Sequence, residues 1–186
     1  MRILGIDPGS IVCGYGVVDV RGNRFSLVEY GVVEARRASN ELPDRLVHIH
    51  ARLSAVVERT RPHVAAMEAL FYARNVQSLL KLAHARGVAM LVAAQHNLPI
   101  AEYAARLIKR SITGKGNASK EQVSFMVRAM LDIEETPEFL DATDALAVAI
   151  AHALQSAPPQ SSKRRAGRVS SWHEYLERNP DRIVGR

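Results

Sequence analysis

The apolar periodicity of this chain changes once, between Val33 and Pro43, and that change decides the class of fold open to it. Before it stand short β-rich runs. Met1 to Ile6 is an apolar run closed by the turn signal Pro8-Gly9, and it reads as a buried strand with Asp7 at its very end. Gly14 to Val20 and Phe25 to Val33 flank Arg21-Gly22-Asn23-Arg24, so the first three strands are expected to form an antiparallel meander. After the change, Leu46, Ile49, Leu53, Val56 and Val57 recur at spacings of three and four, which predicts an amphipathic helix over 43–60. Val64 to Met67 is a fourth strand ending at Glu68, 75–95 is a helix with a wide apolar face, and Pro99 to Ala101 is a brief fifth strand. Tyr103 to Arg110 is predicted as a helix with Arg106, Lys109 and Arg110 on one side. Ser119-Lys120-Glu121-Gln122 is a capping box, opening a helix that buries Val123, Met126, Val127 and Met130. A last helix runs from Asp141 to Leu154. A meander followed by helices alternating with strands gives an α/β three-layer domain, with Asp7 and Glu68 on one sheet edge.

Length and composition narrow the function classes. A chain of 186 residues is one domain, or one domain with a tail, and 47% hydrophobic against 24% charged residues excludes disorder for most of it. The Pro-, Ser- and Arg-rich stretch from Ser156 to Gly167 is too polar to pack, so the expected division is a folded domain over 1–155 and a flexible basic tail over 156–186. No apolar stretch approaches the roughly 18 residues that span a bilayer, and the first residues lack a signal peptide's apolar core, so the expectation is a cytoplasmic protein with no membrane partner. Cys13 has no second cysteine to pair with, and no Cys/His cluster has zinc spacing.

The formal charge of +6 points toward polyanionic partners, and its distribution says more. Residues 156–186 carry seven Lys/Arg against three acids. Inside the nearly balanced body, Arg106, Lys109, Arg110, Lys115, Lys120 and Arg128 face the single acid Glu121. The sign then inverts through Asp132, Glu134, Glu135, Glu138, Asp141 and Asp144. A phosphate-binding surface beside a metal-holding site has this pattern; so do solvated loops.

Asp7, Glu68, Asp141 and Asp144 carry the functional reading, and each has a bland alternative. Asp before Pro-Gly initiates turns. Glu68 follows four apolar residues, where an acid is costly unless exposed or paired. Asp141 and Asp144 suit the free amides and the dipole of a helix start. Their spacing of three also puts both carboxylates on one face of the first turn, so capping and metal binding are compatible. Converging from two strand ends and one helix start, four carboxylates repel one another unless a hard divalent cation neutralises them, and oxygen-only ligands select magnesium or manganese. His152 shares a helical face with Asp141, but eleven residues at roughly 1.5 Å each place it about 16 Å away, so it reads as a core or partner histidine.

Phe71 and Tyr72 follow Glu68 in a segment with Arg74 and Asn75, where they could stack on unpaired bases or simply pack. Ser111 to Asn117 offers glycine amides and Lys115 ahead of a helix N-terminus, a natural phosphate site without Walker A spacing. Two rival readings are open to these residues. An actin-like or sugar-kinase ATPase also starts with a strand ending in Ile-Asp-x-Gly, but it needs two lobes, and 186 residues are too few. A catalytically silent scaffold that binds nucleic acid through the same basic surface is the second, and the complete set of carboxylates argues against it.

Ile-Asp-Pro-Gly-Ser followed by Gly-Tyr-Gly (Ile6 to Gly16), Met-Glu-Ala-Leu-Phe-Tyr-Ala-Arg-Asn (Met67 to Asn75), Ala-Arg-Gly-Val-Ala (Ala85 to Ala89), Glu-Tyr-Ala-Ala-Arg (Glu102 to Arg106) and Asp-Ala-Thr-Asp-Ala-Leu-Ala-Val-Ala (Asp141 to Ala149) stand in the order and spacing of one family. Over residues 1–155 the chain resembles the RuvC crossover junction endodeoxyribonucleases. The resemblance implies a ribonuclease H-like three-layer fold with a mixed five-stranded sheet flanked by helices. It also implies paired nicking of two symmetric strands of four-way (Holliday) DNA junctions in recombination and repair. Asp7, Glu68, Asp141 and Asp144 would hold magnesium, two ions per site, with manganese as the alternative. Phe71 would stack at the junction centre, Lys109 and Lys120 would lie by the scissile phosphate, and the RuvA-RuvB branch-migration complex would be a partner. Two cuts need two sites, so a homodimer is expected. Its candidate interface is the helix over 75–95, where Leu79, Leu80, Leu82, Ala83, Val88, Met90, Leu91 and Val92 exceed one sheet-facing stripe and Gly87 permits close approach. The alternative is a fully buried helix, against which Lys81 and Arg86 weigh.

Overall fold

The computed structural model describes residues 1–69, 75–134 and 140–156. Strand β1 (Arg2–Asp7) pairs antiparallel with β2 (Cys13–Arg21), and β2 pairs antiparallel with β3 (Arg24–Val33). The β2–β3 turn has two residues with Gly22 at φ +59°, which supplies the primed geometry that tight hairpins need. Strands β4 (Val64–Glu68) and β5 (Ile100–Tyr103) join parallel on the other side of β1. The result is a mixed five-stranded sheet in the order β3-β2-β1-β4-β5. The connections after β3 and β4 are helical: α1 (Ala35–Ala38), α2 (Leu42–Thr60) and α3 (Val76–Gln95). After β5 come α4 (Ala105–Thr113), α5 (Lys120–Leu131) and α6 (Leu140–Ser156).

Side chains alternate across a strand, and here the alternation builds two cores. Leu4, Ile6, Val17 and Met67 pack with α2 and α3, whereas Ile3, Val18, Val64 and Ala66 pack with α4, α5 and α6. These are the three layers expected from the change of period.

The element boundaries differ from expectation in one instructive place. Tyr103 was expected to open a helix, yet it closes β5, because the parallel register pairs it with Glu68 and keeps it in the ladder. The helix begins two residues later at Ala105. The capping box at Ser119 is present in full, with the Ser119 hydroxyl accepting from the Gln122 amide and the Gln122 side chain accepting from the Ser119 amide. Cys13 is fully buried, and that burial pushes its thiol up to about 12, so it stays protonated and inert.

Candidate active site

The period of the strands aims two of the acids. On β1, Ile3, Gly5 and Asp7 share one face, and on β4, Val64, Ala66 and Glu68 share the same one, the face that α6 covers. The pairs Ile3↔Val64 to Ile6↔Met67 then set Asp7 and Glu68 side by side at the carboxyl end of adjacent parallel strands. This is where open α/β sheets place ligands.

The third element comes close because the strands beneath it have no side chains in the way. A Cβ at Gly5 would lie 1.9 Å from the carbonyl oxygen of Ala145, and one at Gly14 would lie 2.1 Å from that of Asp141. Gly16 is similarly overlain by Leu146. Buried alanines at 142, 145 and 149 complete the flat contact. Helix α6 therefore lies on the β1–β2 ladder backbone to backbone, and its first turn brings Asp141 and Asp144 to Asp7.

A cleft of about 500 Å³ opens there, lined by Asp7, Glu68, Asp144, Lys109 and Lys120, with Leu82 and Arg86 of α3 among the residues of its wall. Asp141 does not line this cleft, but its charge still acts on Asp7. Burial first, then the carboxylates of Asp144 and Asp141, push the Asp7 carboxyl up to about 7, and Glu68 adds to the effect. Glu68 is raised by its own burial and by Asp144, against the opposing ammonium groups of Lys120 and Lys109. Lys120 donates to Asp144 Oδ2 at 2.8 Å, and this bond raises its own pKa. Lys109 is fixed by donating to the Ala118 carbonyl at 2.8 Å.

The donor set fits a hard cation. It consists of carboxylate oxygens only, and the Asp7 carboxyl is pushed up to about 7 by burial and then by like charges, the second of which a cation would relieve. Among the described residues no three acid, His or Cys side chains already converge on one point, and Lys120 supplies the countercharge at Asp144. A cation held by Asp144 would have to displace Lys120 from it.

The remaining sequence candidates divide. Lys115 is not brought to the cleft; it lies by Thr113, Glu121 and Phe125. Phe71, Tyr72 and Arg74 lie outside the described residues. His152 is buried, bonded through Nδ1 to the Tyr103 hydroxyl at 2.8 Å and through Nε2 to Ser156 at 3.3 Å, which makes it a core histidine. Arg86 corrects the expectation for its helix. Taken as a sign of exposure, it is only 6% exposed, and it reaches under the sheet to Glu68 and Glu102. Its place on the 82, 86, 89, 93 line, otherwise apolar, was the signal available in the sequence.

Comparison with known proteins agrees with this geometry. The family model described as crossover junction endodeoxyribonuclease RuvC matches residues 3–152. The protein of that name from Bacteroides fragilis is 44% identical over 183 residues, 97% of this chain and 95% of its own length, so the likeness runs into the basic segment after Ser156. The one from Magnetococcus marinus is 46% identical over 155 residues, covering 83% and 85% of the two chains. Among solved structures, Thermus thermophilus RuvC in complex with a Holliday junction substrate superposes with a TM-score of 0.77 at 35% identity, over 83% of this chain and 94% of that one. With the fold, the acid-lined cleft and these likenesses along nearly the whole chain, this protein belongs to the RuvC family of crossover junction endodeoxyribonucleases.

Proposed function

We propose that this endonuclease resolves four-way DNA junctions with magnesium held by Asp7, Glu68, Asp141 and Asp144. The observation that carries the reading is the cleft at the carboxyl end of β1 and β4, where three of these acids face two lysines. When bound, a pair of such ions activates a water and stabilises the leaving oxygen of a phosphodiester. Lys109 and Lys120 bind the phosphate and hold its strand over the acids. Lys120, which donates to Asp144, would be free to turn to the phosphate once Asp144 held a cation. Lys115 meets the backbone further along. Phe71 and Tyr72, which follow Glu68 in sequence with Arg74, supply stacking surfaces for unpaired bases. Residues 156–186, rich in arginine, add affinity for any DNA by counterion release. Its proposed substrate, junction DNA, supports a cytoplasmic setting with the RuvA-RuvB complex as partner. Among the described residues no helix is long and apolar enough to cross a membrane.

The test is incubation of the pure protein with a synthetic four-way junction in magnesium, in manganese and in chelator. Paired nicks at symmetric positions on two strands are expected with metal, and none in chelator. Tight junction binding without cutting under every metal condition would return the silent scaffold.

The paired cuts call for a second copy of the chain, and α3 offers the surface. Leu80 and Leu91 are 49% and 50% exposed, and Gly87 lies between them with open space around its Cα. These three fall on one outward stripe of the helix. Leu82, expected in this interface, belongs instead to the wall of the acidic cleft. Leu91→Asp should therefore give folded monomers at micromolar concentration, with junctions nicked on one strand accumulating before any second cut. Sedimentation of that variant as a dimer would move the interface elsewhere.

A further inference from the structure

Two of the motifs that mark this sequence, Ala85 to Ala89 and Glu102 to Arg106, contribute none of the proposed acids or lysines of the cleft, and the structure joins them at one place. Arg86 Nη1 donates to the backbone carbonyl of Glu68 at 2.6 Å, and Arg86 Nη2 meets Glu102 Oε2 at 2.6 Å. The guanidinium side chain is 8% exposed and its carboxylate partner 43%. Glu68 sits at the last position of β4, where its side chain turns up toward α6 while Arg86 grips its carbonyl from α3 on the opposite face of the sheet. The next amide, Ala69 N–H, donates to Tyr103 at 2.9 Å and ends the β4–β5 ladder.

We propose that Arg86 is a positioning residue for the nuclease reaction: pinned by Glu102, it clamps the Glu68 backbone and so fixes the direction in which the Glu68 carboxylate enters the cleft. This rests on the reading of Glu68 as one of the metal-holding acids. The Ala69 rung holds the N–H side of the Glu68–Ala69 peptide, and Arg86 holds its carbonyl side, which points the other way; an acid repelled by Asp144 is pushed away from the cleft unless its backbone is tethered. Arginine suits the task because its planar fork serves a carbonyl and a carboxylate at once, whereas a lysine ammonium makes the same two bonds without fixed geometry. The charge of Arg86, taken up by Glu102 and the carbonyl, serves to orient rather than to bind phosphate.

Partners that orient metal-holding residues typically cost about 10- to 100-fold in activity or metal affinity when removed. Arg86→Gln should lower the cutting rate at saturating junction by about that factor and raise the magnesium concentration for half-maximal rate. Junction affinity in chelator should stay within about twofold, because the lysines are untouched. Amide hydrogen exchange should quicken at Ala69 beyond the change at buried β1 amides. Arg86→Lys should recover part of the rate. Glu102→Gln, which leaves the carbonyl bond, should show the same changes in smaller measure, and it serves if Arg86→Gln does not fold. Wild-type rate and metal dependence in Arg86→Gln would overturn the proposal. So would a uniform loss of protection across the sheet with metal dependence unchanged, since that is what a merely structural arginine gives. Glu68→Gln, run in parallel, separates the two layers of the argument. If it cuts at the wild-type rate, the assignment of Glu68 itself is wrong; if it is dead while Arg86→Gln is normal, only the clamp is wrong.

Discussion

Asp7→Asn should stop junction cutting, by about 10³-fold or more, while junction affinity stays within about twofold. Removing one charged ligand costs several kcal/mol of charge stabilisation at the reacting phosphate, and each 1.36 kcal/mol is about tenfold in rate. The two lysines of the cleft proposed to bind DNA, Lys109 and Lys120, are left in place. The same variant should be more stable than the parent without metal, and the difference should depend on pH. The folded-state value of about 7 at Asp7 stands above the ordinary 3.8. Between these values the unfolded chain gives up its proton while the folded chain keeps it, so this group's contribution is fully present below about pH 4 and is lost as pH rises through 7. Asparagine has no such proton. In chelator, the stability advantage of Asp7→Asn should open from near zero at pH 4 to about 1–4 kcal/mol at pH 8, read by urea unfolding. A gap that does not change with pH would mean that burial and the neighbouring acids do not raise the Asp7 carboxyl in the fold. A variant that still nicks at the parental rate would remove Asp7 from the site.

Gly14→Val should be among the most damaging single substitutions in the described fold. The new Cβ would meet the Asp141 carbonyl at 2.1 Å, and backbone on both sides leaves nothing flexible to yield. Overpacking usually costs about 1–3 kcal/mol, and a clash against a docked helix belongs at or above the top of that range. For a domain of this size that is a fall of about 6–12 °C in melting temperature. Cutting should fall further than stability alone explains, because α6 can be accommodated only by lifting Asp141 and Asp144 away from Asp7. Gly22→Val, in open space at the hairpin turn, provides a contrast: its cost is backbone strain at φ +59°, and cutting by the folded fraction should be normal. Equal loss of specific activity in both variants would show that the close contact does not position the acids.

What could be read ahead of the structure follows a physical division. Acids that end an apolar run announce themselves, because a charge beside four buried residues has to be at a strand end or paired. Hence Asp7 and Glu68 were legible, and the capping box made the start of α5 legible too. The arrangement that brings α6 onto the sheet was not, although Gly5, Gly14 and Gly16 stand in plain sight. A strand glycine is equally consistent with a bulge, a weak strand or a close approach, and only the partner decides. Tyr103 failed for a related reason: its local pattern favours helix, and the pairing with Glu68 two strands' worth of sequence away overrides it. The apolar helix α3 showed that it had more than one buried side without showing which residues took which. Leu82 faces the cleft and Leu91 faces outward, and a helix this apolar has no polar stripe to orient it.

The backbone contact between α6 and the β1–β2 ladder also has a consequence during synthesis. Asp7 and Asp141 are about 130 residues apart, so the first acid leaves the ribosome long before the helix that completes its site. Closing so distant a contact comes late in folding. A half-made, truncated or locally opened copy, in which α6 has not docked on Gly5 and Gly14, still displays the basic segment from Arg106 to Arg128 and can sit on DNA. It lacks two of the four proposed acids and is expected to leave the phosphodiester intact. The glycines thus make the ability to cut chromosomal DNA contingent on a finished molecule.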